Sequence, residues 1–157
     1  MTTHCKLIWL ISAFITQGFA WGSPHKTKAI SIEVGGKSVL YSVGFDKFFG
    51  ESLAVGVGLS YTASGAPSVT QRQFSIPIVS YLYFNQHPRL FIAQGFTATL
   101  GLLTVDGTVF GGIVATGFVG LGFEYESNGG FLFRIAPYVL ISNVPQPWAG
   151  VTFGWVL

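Results

Sequence analysis

The chain has 157 residues, of which half are hydrophobic and only 9% are charged, and its formal net charge is +2. This length suggests a single domain, and a water-soluble domain would carry charge on about 25% of its residues. The composition therefore indicates a surface that meets something other than water, and it excludes the basic stripe of a nucleic-acid-binding protein.

Residues 1–20 have the pattern of a secretory signal peptide. A short polar segment ends at Lys6, and the apolar run that follows ends in small residues at Ala20. This run is too short to cross about 30 Å of hydrocarbon as a helix. We therefore predict a leader over 1–20 and a mature domain over 21–157, with an uncleaved anchor as the alternative. The single cysteine, Cys5, lies in the leader, so the mature domain would have no disulfide, zinc-thiolate site or cysteine nucleophile.

The rest of the sequence alternates with a period of two, which is the pattern of a β-strand with two unlike faces. We predict eight strands, in chain order at roughly 28–34, 38–48, 52–62, 71–84, 90–104, 109–126, 130–141 and 148–157. Residues 28–48 could instead form one long bulged strand. Pro77 and Pro137 lie inside predicted strands, and we expect bulges there because proline lacks the N–H that a ladder needs.

Turn-forming residues separate the predicted strands. Asp106-Gly107 and Asn128-Gly129 stand between alternating segments, and such pairs are strong sequence signals for a β-hairpin. Several segments have the 9–11 residues that a tilted transmembrane strand requires. The order of strands and short turns therefore predicts an antiparallel sheet built from consecutive hairpins.

The two faces of the strands differ in side-chain size rather than in charge. One face carries bulky apolar residues, and the other carries mainly glycine, alanine, serine and threonine. Small residues suit the narrow lumen of an eight-stranded barrel, so we predict an all-β fold, an antiparallel up-and-down transmembrane β-barrel of about eight strands. A helical integral membrane protein is the alternative, because 90–123 contains one charge, Asp106, and has small residues at helical spacing.

Aromatic residues are concentrated near one end of the predicted barrel, beside the C-terminus and the three turns that share its side. This distribution predicts an interfacial aromatic girdle. The girdle would comprise Phe48, Phe49, Tyr83, Phe84, Phe91, Phe123, Tyr125, Phe131, Phe133, Phe153 and Trp155.

Four ionisable residues fall within strands on the face of small residues: Glu33, Asp46, Glu124 and Arg134. Charges in a narrow lumen must be paired, because an isolated buried charge costs several kcal/mol. We predict a structural ion-pair cluster centred on Arg134. A proton or ion path and a ligand site are the alternatives.

The alternating, glycine-rich strands and the terminal segment with Phe153 and Trp155 resemble the OmpA/OmpX-type group of small eight-stranded outer-membrane barrels. The resemblance covers about 28–157 and is one of pattern; members usually end in an aromatic residue, whereas this chain ends in Leu157. It implies export through the periplasm to the bacterial outer membrane. It also implies contact with outer-membrane lipids and lipopolysaccharide, and with the outer-membrane assembly machinery.

A structural or interaction role in the envelope is the function that these patterns favour, with no catalytic site, cofactor or metal and no nucleic acid as partner. The alternatives are a lipid-modifying enzyme, similar to the barrels that deacylate or acylate lipid A, and a narrow pore. Such enzymes resemble this size class and use surface histidine, serine and acidic residues. The mature domain contains only His25 and His87, and neither has a serine and a carboxylate at suggestive positions on the same rim.

Overall fold

The computed structural model of the chain describes residues 27–38, 40–66, 68–84, 89–142 and 144–157. The predicted leader, His25 and His87 lie outside the described residues.

Eight antiparallel strands, each hydrogen-bonded to its neighbours in chain order, close into a barrel in which the first strand pairs with the last. The strands are β1 Lys28–Gly35, β2 Tyr41–Phe49, β3 Leu53–Ala66, β4 Val69–Tyr83, β5 Arg89–Val105, β6 Thr108–Glu126, β7 Phe131–Ile141 and β8 Gln146–Val156. The predicted fold class is confirmed, and 28–48 forms two strands. Between them lies one 3-10 turn, Gly36–Ser38, called the inward turn below.

The segment that favoured a helical membrane protein forms the β5–β6 hairpin, so the helical alternative is wrong. Its two-residue loop has positive φ at both Asp106 (48°) and Gly107 (81°). Positive φ at both positions is the requirement of a type I′ turn, whose twist matches that of the flanking strands. Within the described residues, no helix is long and apolar enough to cross a membrane.

The bulges expected at the two prolines are absent. Around Pro77 the pairing of β4 with β3 is interrupted, yet the register is the same on both sides, and Pro77 stays paired with Thr97 on β5. Pro137 likewise interrupts pairing with β6 while it stays paired with Ala149 on β8. The N–H and the C=O of a residue in an antiparallel strand point to the same neighbouring strand. The N–H that proline lacks therefore weakens pairing with that strand alone, and the strand does not need the extra residue of a bulge.

The outer face of the barrel is apolar and the inner face is packed. Isoleucine, valine, leucine and aromatic side chains are exposed all round the outside, as in Ile32, Val57, Leu121 and Ile135. The buried side chains, which are small, aliphatic, aromatic or charged, fill the lumen. An apolar exterior around a partly polar interior is the arrangement of a barrel that spans a membrane.

The wall of the barrel differs in height from one side to the other. β1 and β2 have 8 and 9 residues, whereas β5 and β6 have 17 and 19. Beyond Leu59, β3 no longer pairs with β2, and before Gly117, β6 does not pair with β7. A four-stranded sheet therefore stands above the rest of the barrel, called the projecting sheet below, and it consists of 60–66, 69–75, 98–105 and 108–116.

Candidate functional site

Arg134, on β7, lies at the centre of the lower charged layer of the lumen. Its Nε donates to Glu124 Oε2 at 2.6 Å and its Nη1 donates to Asp46 Oδ2 at 2.5 Å. Its Nη2 donates to the hydroxyl of Tyr83 at 3.2 Å, and the guanidinium stands 4.5 Å from the ring centre of Tyr81. The structure thus brings two of the three predicted lumen carboxylates, Asp46 and Glu124, together around Arg134.

Glu124 has a second cation, which lies just before the strand predicted over 90–104. Arg89, the first residue of β5, donates from Nη1 to Glu124 Oε1 at 2.9 Å and from Nη2 to the carbonyl oxygen of Glu51 at 2.8 Å. Its guanidinium lies 4.0 Å from the ring centre of Tyr83, whose hydroxyl also donates to Glu124 at 2.7 Å. Arg89 therefore closes the lower end of the lumen as part of the cluster.

Glu33 does not join this cluster and instead forms an upper charged layer with the inward turn. Lys37 Nζ donates to Glu33 Oε1 at 2.7 Å and to the hydroxyl of Tyr81 at 3.0 Å. Tyr138 donates to the same carboxylate oxygen at 3.2 Å, and Thr97 Oγ1 donates to the carbonyl oxygen of Lys37 at 2.7 Å. These bonds hold the β1–β2 connection across the lumen, so that Lys37 is buried although it lies between two predicted strands.

Backbone conformation explains why this connection can fold inward. Gly35 and Gly36 both have positive φ (71° and 70°), which only glycine adopts without strain. A Cβ on Gly35 would overlap the carbonyl oxygen of Ala149, and a Cβ on Gly36 would overlap the Glu33 carboxylate. The two glycines therefore provide both the turn and the space that Lys37 needs to enter the barrel.

The sequence contained one signal for the two missed cations. Three inward carboxylates and one arginine leave an excess of negative charge, which a narrow lumen does not tolerate. Within the described residues Glu33, Asp46 and Glu124 form ion pairs with Lys37, Arg89 and Arg134, two more cations than the sequence had placed in the lumen. The excess could have indicated that two cations were missing, although not which two.

Three members of the predicted aromatic girdle were assigned wrongly. Phe48, Tyr83 and Phe91 point into the lumen and are buried, where they pack edge-on or stacked against one another and against Tyr81. Successive side chains of a strand point to opposite faces. Phe48 is therefore inside because its neighbour Phe49 is outside, and the same alternation separates Tyr83 from Phe84 and Phe91 from Leu90.

The other eight girdle residues stand on the outer face or at its lower edge. They are Phe49, Phe84, Phe123, Tyr125, Phe131, Phe133, Phe153 and Trp155. On β7 and β8 they also meet across the ladder, since the ring centres of Phe131 and Trp155 are 6.5 Å apart and those of Phe133 and Phe153 are 5.4 Å apart. An outward aromatic belt at the end of the barrel where β1 begins and β8 ends is the expected position for a membrane interface.

The lumen groups bond to one another and so connect different strands across the inside of the barrel. Glu33, Asp46 and Glu124 are each in ion-pair contact with a cation, and tyrosine hydroxyls occupy further positions around Glu33 and Glu124. No group of three or more histidine, cysteine, aspartate or glutamate residues within the described ranges is placed to hold a metal ion. The chemistry that this arrangement supports is mutual neutralisation of charges that would otherwise be costly to bury.

Comparison with solved structures gives the same architecture. The N-terminal β-barrel domain of Pseudomonas aeruginosa OprF is similar, with a TM-score of 0.62 and 12% identity over 84% of this chain and 99% of that domain. Ail, the attachment invasion locus protein of Yersinia pestis, gives a TM-score of 0.48 and 11% identity over 82% of this chain and 91% of Ail. No family model and no curated protein sequence matches the chain. The resemblance to small OmpA/OmpX-type barrels is therefore confirmed as one of fold.

Proposed function

We propose that the chain is an outer-membrane β-barrel protein with a structural or interaction role in the bacterial envelope, and that it acts without catalysis. The observation that carries the proposal is the pairing of an apolar, aromatic-belted exterior with a lumen whose charges neutralise one another. Closure supports membrane insertion, because an open strand edge in hydrocarbon would leave backbone groups unsatisfied. The similarity in fold to the OprF barrel supports the outer membrane as the location of the protein.

A non-conducting lumen belongs to the same proposal. The inward turn crosses the upper lumen and is bonded to β4 through Tyr81 and to β5 through Thr97. Below it, Arg134 and Arg89 bridge carboxylates on different strands and are packed against buried aromatic rings. Two such layers support a scaffold that presents its surfaces to lipids or partners rather than a pore.

The first experiment is electrophoresis of a purified outer-membrane fraction with and without boiling. We expect the protein in this fraction, and we expect the unboiled sample to migrate differently from the boiled control because a closed barrel stays folded in detergent. Recovery from the inner membrane, together with a helical circular-dichroism spectrum, would contradict the proposal.

A second experiment tests the absence of catalysis. Mass spectrometry of lipid A from cells with and without the protein should give the same acyl pattern, and His25→Ala and His87→Ala should leave it unchanged. An acyl chain gained or lost in a manner that depends on either histidine would establish the lipid-modifying alternative instead.

A further inference from the structure

The outer face of the barrel wall carries cations and no carboxylate. Within the described residues the charged side chains on the outer face of the strands are Lys28, Lys47 and Arg72. The carboxylates of the strands lie on the inner face instead: Glu33, Asp46, Glu124 and Glu126. Because side chains alternate between the two faces, the strands present positive charge alone to whatever surrounds the barrel.

Two of these cations stand directly opposite each other on neighbouring strands. Lys28 of β1 and Lys47 of β2 form a cross-strand pair, and both side chains are exposed. The Cβ atoms of such a pair are about 5 Å apart, and like charges placed there are destabilising. Neither lysine forms an ion pair within the described part of the chain. An anion between the two ammonium groups would offset their repulsion.

The lysine pair lies within the aromatic belt at the lower end of the barrel. Lys47 is one outward position above Phe49, and its Nζ is 5.2 Å from the ring centre of Phe49. Lys28 is one outward position below Ile30, the cross-strand partner of Trp155. Such a belt marks the boundary between hydrocarbon and lipid head groups. A lysine there lays its methylene stem along apolar surface and keeps its ammonium group among the head groups.

We propose that Lys28 and Lys47 form a binding site for the head group of an anionic phospholipid, whose phosphate lies between the two ammonium groups and accepts hydrogen bonds from both. Lysine binds phosphate as a point charge. A zwitterionic head group offers the same phosphate but carries a cation of its own, which the lysines repel, so the site favours a head group with net negative charge. This inference rests on the proposed membrane location.

Trp155 lies beside the lysine pair and can report which lipid occupies the site. The chain has four tryptophans, so a parent protein with Trp9→Phe, Trp21→Phe and Trp148→Phe keeps Trp155 alone. This parent, checked for heat-dependent mobility, is reconstituted in vesicles of equal amounts of phosphatidylglycerol and phosphatidylethanolamine. One set of vesicles has dibrominated acyl chains on the phosphatidylglycerol, and the other has them on the phosphatidylethanolamine. Because bromine quenches tryptophan only at short range, the two sets compare the lipids next to Trp155.

We expect stronger quenching of the parent by brominated phosphatidylglycerol. Lys28→Gln and Lys47→Gln should each lower the relative affinity for phosphatidylglycerol about fivefold, and the two changes together should make both vesicle sets quench equally. Arg72→Gln is the matched control, because it removes the same charge from the outer face of the projecting sheet, away from the pair, and it should leave the preference unchanged.

Equal quenching of the parent by the two sets would overturn the inference, and so would a preference that survives when both lysines are glutamine. An equal loss of preference in Arg72→Gln would also overturn it, since the preference would then come from the overall charge of the protein. If neither brominated lipid quenches Trp155, the membrane location itself fails and the inference fails with it.

Discussion

Loss of the guanidinium at the centre of the lumen should destabilise the barrel far more than loss of a surface arginine. The side chain of Arg134 is only 2% exposed and is in contact with two carboxylates. In Arg134→Ala, Glu124 keeps its bonds to Arg89 at 2.9 Å and to Tyr83 at 2.7 Å. Asp46 instead loses the one cation with which it forms an ion pair among the described residues.

The expected cost follows from that difference. One carboxylate, rather than two, is left buried without compensation, and this typically costs about 3–5 kcal/mol. Arg72 lies on the outer face of the projecting sheet and forms no ion pair within the described part of the chain. Its replacement by alanine should therefore change the free energy of unfolding by no more than about 0.5 kcal/mol.

Urea unfolding in lipid vesicles measures the effect. With a dependence on urea of about 1–3 kcal/mol per molar, the midpoint of Arg134→Ala should fall by about 1 M or more, while that of Arg72→Ala should stay close to the parent. A double variant that combines Arg134→Ala with Asp46→Asn should be more stable than Arg134→Ala alone, because it removes the carboxylate charge that has lost its partner. Equal midpoints for the two alanine variants, or strictly additive effects in the double variant, would refute the reasoning.

Three further tests, two of them with a matched control variant, address other parts of the lumen by the same unfolding assay. Lys37→Met should lower the free energy of unfolding by about 3–5 kcal/mol, because it leaves the buried Glu33 carboxylate without its cation. An unchanged midpoint would show that Lys37 is not buried inside the barrel. Gly122→Ala should lower the free energy of unfolding by about 1–3 kcal/mol, because the added Cβ would overlap the buried ring of Phe91. Gly112→Ala is the control and should be nearly neutral, since a Cβ there has nothing within 4 Å. Similar effects of the two variants would contradict the observed packing. Phe48→Ala should lower the free energy of unfolding by about 3–5 kcal/mol, and clearly more than Phe49→Ala, because only Phe48 is packed in the core. The opposite order would indicate that Phe48 belongs to the outward aromatic girdle.

Local features of the sequence were sufficient to predict the strands and their order. The period of two, the turn at Asp106-Gly107 and the contrast between bulky and small faces predicted eight strands whose observed ends differ by a few residues. These features depend on neighbours along the chain, because side-chain alternation and turn conformation are properties of a few consecutive residues. The same alternation assigns Glu33, Asp46, Glu124 and Arg134 to the inner face, and all four side chains are buried.

Only closure of the barrel decided which of those charges meet. Arg134 and Asp46 are 88 residues apart in sequence, and their contact depends on the register of every strand between them and on the pairing of β1 with β8. The burial of Lys37 likewise depends on space inside the barrel, which Gly150 on the last strand helps to leave open. Alternation determines the face on which a side chain lies, but its level in the lumen and its partner are set by strand stagger, which no short stretch of sequence encodes.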